Sequence, residues 1–240
     1  PVEAFNFEED TGSADHGKYT WANAAYAMAT NINRSFKEFG WCSRIRGIES
    51  GGAVMNLPTH TFPTDDGGVD MKCPTEIAIE DRREAELASN GFMPLVHRKN
   101  SDFAAFIGAQ SLHKPAEYDD PDASANAKLA ARLPYLFATC RFAHYLKCIV
   151  RDKIGSFKER DEVERWLSKW ISQYVDGDPI NSSESTKASR PLAAAEVQVT
   201  EDPANPGYYQ SKFFLRPHYQ LEGLTVSLRL VSKLPSAKAA

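Results

Sequence analysis

The sequence of 240 residues lacks the features that mark several large classes of protein. It contains no run of about 18 or more apolar residues, so no membrane-spanning helix is predicted. The formal net charge is -4, and the basic surplus of a typical nucleic-acid-binding protein is missing. The opening residues, PVEAFNFEED, are polar and acidic, which is unlike a signal peptide. We therefore expect a globular protein with no nucleic-acid partner and no membrane span.

Cysteine is scarce and scattered. The chain has 4 cysteines and no C-x-x-C pair, so neither a disulfide framework nor a zinc knuckle is predicted. Cys140 and Cys148 fall in an apolar run and are predicted to be small buried side chains. This usage favours a reducing, cytoplasmic compartment.

Motifs of catalysis and cofactor binding are also missing. We find no G-x-x-x-x-G-K-[ST], no G-x-G-x-x-G and no G-x-S-x-G, and no two histidines have the spacing of a zinc helix. The prediction is a protein that is not an enzyme and holds no cofactor or metal. The alternative is a site built from residues distant in sequence, such as Cys73 with His97 or His144, which requires those side chains to converge.

Amphipathic helices are the main positive signal. Helices are predicted over residues 21–39, 81–90, 125–152 (divided by Pro134) and 159–175. In the last of these, apolar residues recur at spacings of three and four: Val163, Trp166, Leu167, Trp170, Ile171 and Tyr174. This periodicity predicts one buried helix face.

Strand signals lie at three places. A short strand is predicted over residues 76–80, a hairpin over 92–97 and 102–108, and three C-terminal strands over 195–199, 208–217 and 224–233. In the last strand, four apolar residues alternate with polar ones: Leu224, Val226, Leu228 and Leu230. Residues 113–124 and 176–191 are rich in polar residues and proline and are predicted to be loops.

These elements predict an α/β (α+β) fold with a mixed sheet flanked by helices. Residues 1–194 are predicted to form the core domain, and residues 195–240 the C-terminal strands of the same fold. Because a terminal strand exposes unpaired N–H and C=O groups, these strands could join the sheet of a neighbouring chain.

One short helix carries a dense mixture of charges: Asp81, Arg82, Arg83, Glu84 and Glu86. Such a helix can be a solvated face with pairs at i,i+4. It can equally be an electrostatic surface that docks another subunit. The residues alone leave both interpretations open.

Long stretches of the chain resemble the C-terminal half of the large sheath subunit of bacterial type VI secretion systems, the TssC/VipB family. The matching stretches are GWCSRIRGIESGG, LPTHTFPTDDGGVDMKCPTEIAIEDRREAELASNGFMPLVH, FAHYLKCIVRDKIGSF and NPGYYQSKFFLRPHYQLEGLTVSLRLVSKLP. The resemblance implies a structural protein with a phage tail-sheath-like core. A related phage-tail-like contractile machine is the alternative.

The resemblance also implies partners. Large sheath subunits pair with a small sheath subunit (TssB/VipA type), polymerise helically with copies of themselves around an Hcp inner tube, and contract to propel it. The sheath lies in the bacterial cytoplasm on an envelope-bound baseplate. A ClpV-type AAA+ unfoldase recycles it, acting mainly through the small subunit.

Particular residues acquire roles by this resemblance. The inter-subunit strands contain Phe213, Phe214, Leu215, Leu224, Val226, Leu228 and Leu230. Gly223 belongs to HYQLEG, the short linker that precedes the last of these strands. The charged helix with Asp81, Arg82, Arg83, Glu84 and Glu86 corresponds to a helix that faces the tube.

Overall fold

The computed structural model describes residues 8–12, 15–153, 160–201, 209–218 and 228–234. The helices are α1 Ala24–Phe39, α2 Asp81–Ser89, α3 Pro121–Ala130, α4 Leu133–Lys153, α5 Arg160–Ile171 and α6 Glu184–Ser189. The strands are β1 Ala53–Val54, β2 Thr61–Pro63, β3 Val69–Met71, β4 Leu95–His97, β5 Ala104–Phe106, β6 Leu192–Glu201, β7 Tyr209–Pro217 and β8 Leu228–Leu234. The mixed α+β class is thereby confirmed.

The chain divides into two compact units. One comprises Pro1–Ser35 and Arg44–Leu112, and the other comprises Phe36–Ser43 and His113–Ala240. The described strands pair antiparallel, in the orders β1-β5-β4, β2-β3 and β6-β7-β8. A parallel contact occurs at the isolated bridge between Val175 and Leu192. In the described parts of the chain, no helix is both long enough and apolar enough to cross a membrane.

In the first unit, the predicted hairpin is confirmed as β4 and β5, with Leu95 opposite Phe106 and His97 opposite Ala104. All three residues of β5 are buried. Gly52 precedes the neighbouring strand β1, and a Cβ there would lie 2.4 Å from the carbonyl oxygen of Phe106. Glycine is therefore required for the backbone to approach β5 this closely.

The helix predicted over residues 21–39 forms as α1, beginning three residues later at Ala24. Asn23 caps it, because its side-chain oxygen accepts the N–H of Ala25 at 2.9 Å. Gly40 ends it with φ of 74° and donates its N–H to the carbonyl of Phe36. Left-handed glycine is a common helix terminator because it has no Cβ to clash.

The strand predicted over residues 76–80 does not form. The Thr75 hydroxyl donates to the carbonyl of Ile77, and the chain bends there. Ile77 is 68% exposed. A period-2 pattern specifies a strand only where a partner strand and a core face are available, and the described first unit supplies neither at this segment.

The second unit has its core between the helices and the C-terminal sheet. Helix α5 confirms the predicted stripe, with Val163, Leu167 and Ile171 buried, and it continues into a 3-10 turn over Ser172–Tyr174. The buried cluster consists of Trp41, Ala138, Phe142, Leu146, Val163, Leu167, Ile171, Leu192, Val197, Val199, Phe213 and Leu215. The prediction that Pro134 starts a second helix is also confirmed, since α4 begins at Leu133.

One predicted loop contains the start of a helix, and the other contains a whole short helix. Helix α3 begins at Pro121, where Asp120 accepts the N–H of Asp122. Helix α6 lies within residues 176–191, capped by Ser183, whose side chain accepts the N–H of Thr186. Proline and serine are typical of loops, but at these two positions they start helices. The predicted burial of Cys140 is wrong, because this residue is exposed, and Cys148 is half-buried.

Phe142 is the centre of the aromatic core. Its ring stacks on Trp41 at 4.9 Å between centroids and meets the edges of Trp170 and Tyr174. We expect Phe142→Ala to lower the free energy of unfolding by about 3–5 kcal/mol, because it leaves a cavity among rigid rings. Urea unfolding followed by tryptophan fluorescence measures this. Phe137→Ala on the same helix, at a residue that is 37% exposed, is the matched control and should cost much less.

Candidate assembly surfaces

The C-terminal sheet brings three of the predicted strand residues together on β7. Phe213 and Leu215 face the core and are nearly fully buried, and Phe214 is half-buried. On β8, Leu228 pairs with Leu215 and Leu230 pairs with Phe213. The remaining predicted residues, Gly223, Leu224 and Val226, lie outside the described residues.

The direction of the amide groups in this sheet follows from one contact. The N–H of Val199, on β6, donates to the Glu164 carboxylate of α5 at 2.9 Å, and so points away from β7. Amides alternate in direction along a strand, and paired residues in antiparallel strands alternate between bonded and non-bonded pairs. The backbone N–H and C=O groups of residues 198 and 200 of β6 therefore point toward β7.

The same alternation extends across the registered pairs to β8. Residues 210 and 212 of β7 are opposite 200 and 198, so their backbone N–H and C=O groups point toward β6. The backbone groups of residues 211 and 213 therefore point toward β8. Their partners on β8 are residues 232 and 230. The amides of Arg229, Val231 and Lys233 consequently point outward, away from β7, at the edge of the described sheet.

Helix α2 presents most of its charges to solvent. Asp81, Arg82, Arg83 and Glu86 are exposed, and Arg83 pairs with Glu86 at 2.9 Å. Asp81 lies in the first turn, where a negative charge complements the helix dipole. Because the Arg83–Glu86 pair is exposed, its contribution to stability is small, and both groups remain accessible to a partner.

Glu84 differs from the other charged residues of α2. It is half-buried, and the N–H of Gly108 bonds to its carboxylate. Burial and the neighbouring Asp81 raise the pKa of Glu84, although the Gly108 contact opposes this. Glu84 therefore belongs with Leu87 and Ala88 to the inner face of the helix, at the spacing of three and four that defines one side.

A buried carboxylate and a buried histidine meet beside the C-terminal sheet. Asp176 Oδ2 lies 3.7 Å from His218 Nε2, with side chains only 3% and 4% exposed. The other Asp176 oxygen accepts the Ser182 hydroxyl at 2.8 Å. Here the carboxylate lies between the hydroxyl and the imidazole, so the order differs from that of a nucleophile activated by histidine.

This pair makes stability depend on pH. Burial lowers the pKa of His218 below its usual 6.5, although Asp176 opposes this. Burial alone would raise the pKa of Asp176, but bonds from Ser182 and the Asp178 N–H leave it lower than usual. Because the pKa of His218 is lower in the folded state, the unfolded state binds more protons at this residue than the folded state does once the pH falls below about 6.5. The contribution of His218 to the free energy of unfolding is therefore present above that pH and is lost below it. The contribution of Asp176 is lost only at much lower pH, below about 3.8.

We therefore expect the free energy of unfolding to fall from pH 7 to pH 5, by at most about 1.4 kcal/mol per pH unit for one proton. His218→Gln should flatten this dependence. Urea unfolding at a series of pH values measures both slopes. Equal slopes in the wild type and His218→Gln would contradict the assignment.

The residues of the alternative enzymatic site have local structural partners. Cys73 Sγ lies 3.1 Å from the Thr75 hydroxyl, and His97 Nε2 lies 2.9 Å from the carbonyl oxygen of Ser101. His144 is exposed and lies one helical turn from Cys148, at 3.8 Å. In the part of the chain that the structure describes, no group of three or more His, Cys, Asp or Glu residues could hold a metal ion.

Two features were not identified from the sequence. Glu164 and Val199 are 35 residues apart, and Asp176 follows the 3-10 turn whereas His218 follows β7. One signal for Glu164 was present, because it is a carboxylate directly beside the apolar stripe of α5.

Comparison with known proteins gives a family for the whole of this arrangement. Residues 1–113 match the family described as EvpB/VC_A0108, tail sheath N-terminal domain. Residues 122–234 match EvpB/VC_A0108, tail sheath gpW/gp25-like domain. The type VI secretion system sheath protein TssC1 of Pseudomonas aeruginosa is 81% identical over all 240 residues.

The chain spans 48% of the length of TssC1. Its correspondence to the C-terminal half of a large subunit stays a prediction. The gpW/gp25-like match agrees with the tail-sheath-like fold expected from the resemblance. With both family models and a relative matching across its length, the chain belongs to the VipB family of tail-sheath proteins.

Proposed function

We propose that this chain is part of the large structural subunit of a contractile type VI secretion sheath. The subunit pairs with a small sheath subunit of the TssB/VipA type, polymerises helically around an Hcp tube and contracts to propel it. It performs no catalysis. The observation that carries the proposal is the 81% identity to a type VI secretion sheath protein over all 240 residues.

The C-terminal sheet supports assembly by strand exchange between subunits. Strand β8 lies at the edge of the described sheet, with outward amides at Arg229, Val231 and Lys233. Each added main-chain hydrogen bond contributes about 0.5–1.5 kcal/mol net. A strand of four or five such bonds would stabilise each contact by a few kcal/mol, and a helical lattice repeats that contact at every subunit.

Helix α2 is proposed to face the tube. Its exposed charges of both signs, Arg82, Arg83 and Glu86 with Asp81, suit a weak and reversible contact. Rim charges mainly set orientation and association rate rather than affinity, which fits a tube that must slide during contraction. Glu84 is excluded from this surface because its carboxylate bonds to Gly108.

The remaining assignments complete the proposal. The sheath is cytoplasmic and anchored to an envelope-bound baseplate, and ClpV-type recycling acts mainly through the small subunit. The division into a core over residues 1–194 and C-terminal strands over 195–240 stays a prediction, with β6 beginning at Leu192.

Co-expression of the full-length subunit with its small-subunit neighbour tests the proposal. We expect hollow, ridged tubules by negative-stain electron microscopy. Discrete particles of uniform size would contradict a sheath role. As a control, the small subunit expressed alone should give no tubules.

A further inference from the structure

The outer edge of β6 is occupied by the same chain at both of its ends. At the first end, Leu192 forms a parallel bridge with Val175, and its carbonyl accepts the N–H of Asp176 at 2.9 Å. Near the second end, the Glu164 carboxylate accepts the N–H of Val199 at 2.9 Å. The donor and acceptor groups that an incoming strand would need are therefore partly taken.

The Glu164 contact is held in place by its surroundings. Its neighbours on α5, Val163 and Leu167, are buried against the sheet, and Val199 is itself only 2% exposed. A carboxylate that accepts a backbone N–H makes a charge-assisted bond, which is about twice as strong as a neutral one. Displacing the half-buried Glu164 side chain would break this charge-assisted bond.

We propose that Glu164 closes the β6 edge of the C-terminal sheet against strand addition, so that a neighbouring subunit's strand adds only at β8. An incoming strand at β6 would bring carbonyl oxygens next to the Glu164 carboxylate and repel it. At β8, the edge strand of the described sheet, the amides of Arg229, Val231 and Lys233 point outward. The inference rests on strand exchange, the proposed mode of assembly, and adds the edge at which it occurs.

Hydrogen–deuterium exchange at single amides, on the full-length wild-type subunit with its small partner, tests the edge directly. The unassembled pair is compared with the assembled sheath. We expect the amides of Arg229, Val231 and Lys233 to exchange roughly two- to tenfold more slowly after assembly, as one added hydrogen bond each predicts. The outward amide of Val197 on β6 should be unchanged.

The possible failures are distinguishable. Slower exchange at Val197 on assembly would overturn the role of Glu164 while leaving strand exchange intact. Tubules that form with no change at either edge would overturn strand exchange, and with it this inference.

Three substitutions on α5 isolate the carboxylate. Glu164→Ala should speed exchange of the Val199 amide by roughly tenfold, and it should allow Val197 to gain protection in the sheath. Glu164→Gln keeps an acceptor oxygen and should largely preserve the wild-type rate. Glu162→Ala, at an exposed residue of the same helix, should change neither amide. Unaltered Val199 exchange in Glu164→Ala would overturn the inference.

Discussion

Val231→Pro should abolish sheath tubules while leaving the subunit folded and paired with its small partner. The N–H of Val231 points away from β7, so its loss costs no bond within the described sheet. Proline removes the donor and places a ring where a neighbouring strand would lie, which is how natural edge strands resist addition. The loss of the contact, a few kcal/mol per subunit, is multiplied along the lattice.

The controls separate edge blocking from unfolding. Val231→Thr keeps both the amide and the β-branched shape, and it should assemble normally. Leu230→Pro removes an amide that faces β7, so it should destabilise the subunit itself as well. Tubule counts from negative-stain images, together with circular dichroism and gel filtration of the soluble pair, measure these outcomes. Tubules of normal number from Val231→Pro would contradict strand addition at this edge.

Much of the fold could be predicted from local patterns. The stripe of α5, the stop at Gly40 and the β4–β5 hairpin follow from periodicity and turn residues within one segment. These predictions succeed because the residues of each element show by their own spacing which face is buried. The strand predicted over residues 76–80 fails for the opposite reason, since pairing needs a partner that the local pattern cannot supply.

Some features of the assembly surfaces can likewise be predicted from local patterns, and others cannot. The exposed charges of α2 are visible in the sequence, and helical spacing from Leu87 and Ala88 would also have predicted the inward position of Glu84. The edge contact of Glu164 with Val199 depends instead on how α5 packs against β6. Because the two residues are 35 positions apart, the sequence around either one gives only a weak indication of the contact.

Reversing three of the exposed charges of α2 should release the tube without preventing sheath formation. In the variant Arg82→Glu, Arg83→Glu, Glu86→Arg, the helix keeps an opposite-charge pair at i,i+3 and keeps Asp81 in its first turn. Helix stability should therefore change little. A complementary tube surface would meet like charges instead, and each lost surface pair is worth about 0.2–1 kcal/mol. Because the lost pairs and the new repulsion both weaken binding, the amount of Hcp recovered per sheath should fall roughly tenfold.

Co-sedimentation of sheath with Hcp, at low and at high salt, measures this change. High salt should reduce the difference in Hcp recovery between wild type and variant, because it screens the charges: the Debye length shortens from about 10 Å at 0.1 M to about 3 Å at 1 M. Glu84→Gln is the matched control on the same helix, since its side chain faces Gly108 and retains an acceptor oxygen. Equal Hcp recovery from the charge-reversed sheath would contradict a tube-facing α2. Failure of the variant to form tubules would assign this helix to contacts within the sheath wall instead, because an electrostatic grip on the tube alone should leave subunit polymerisation unaffected.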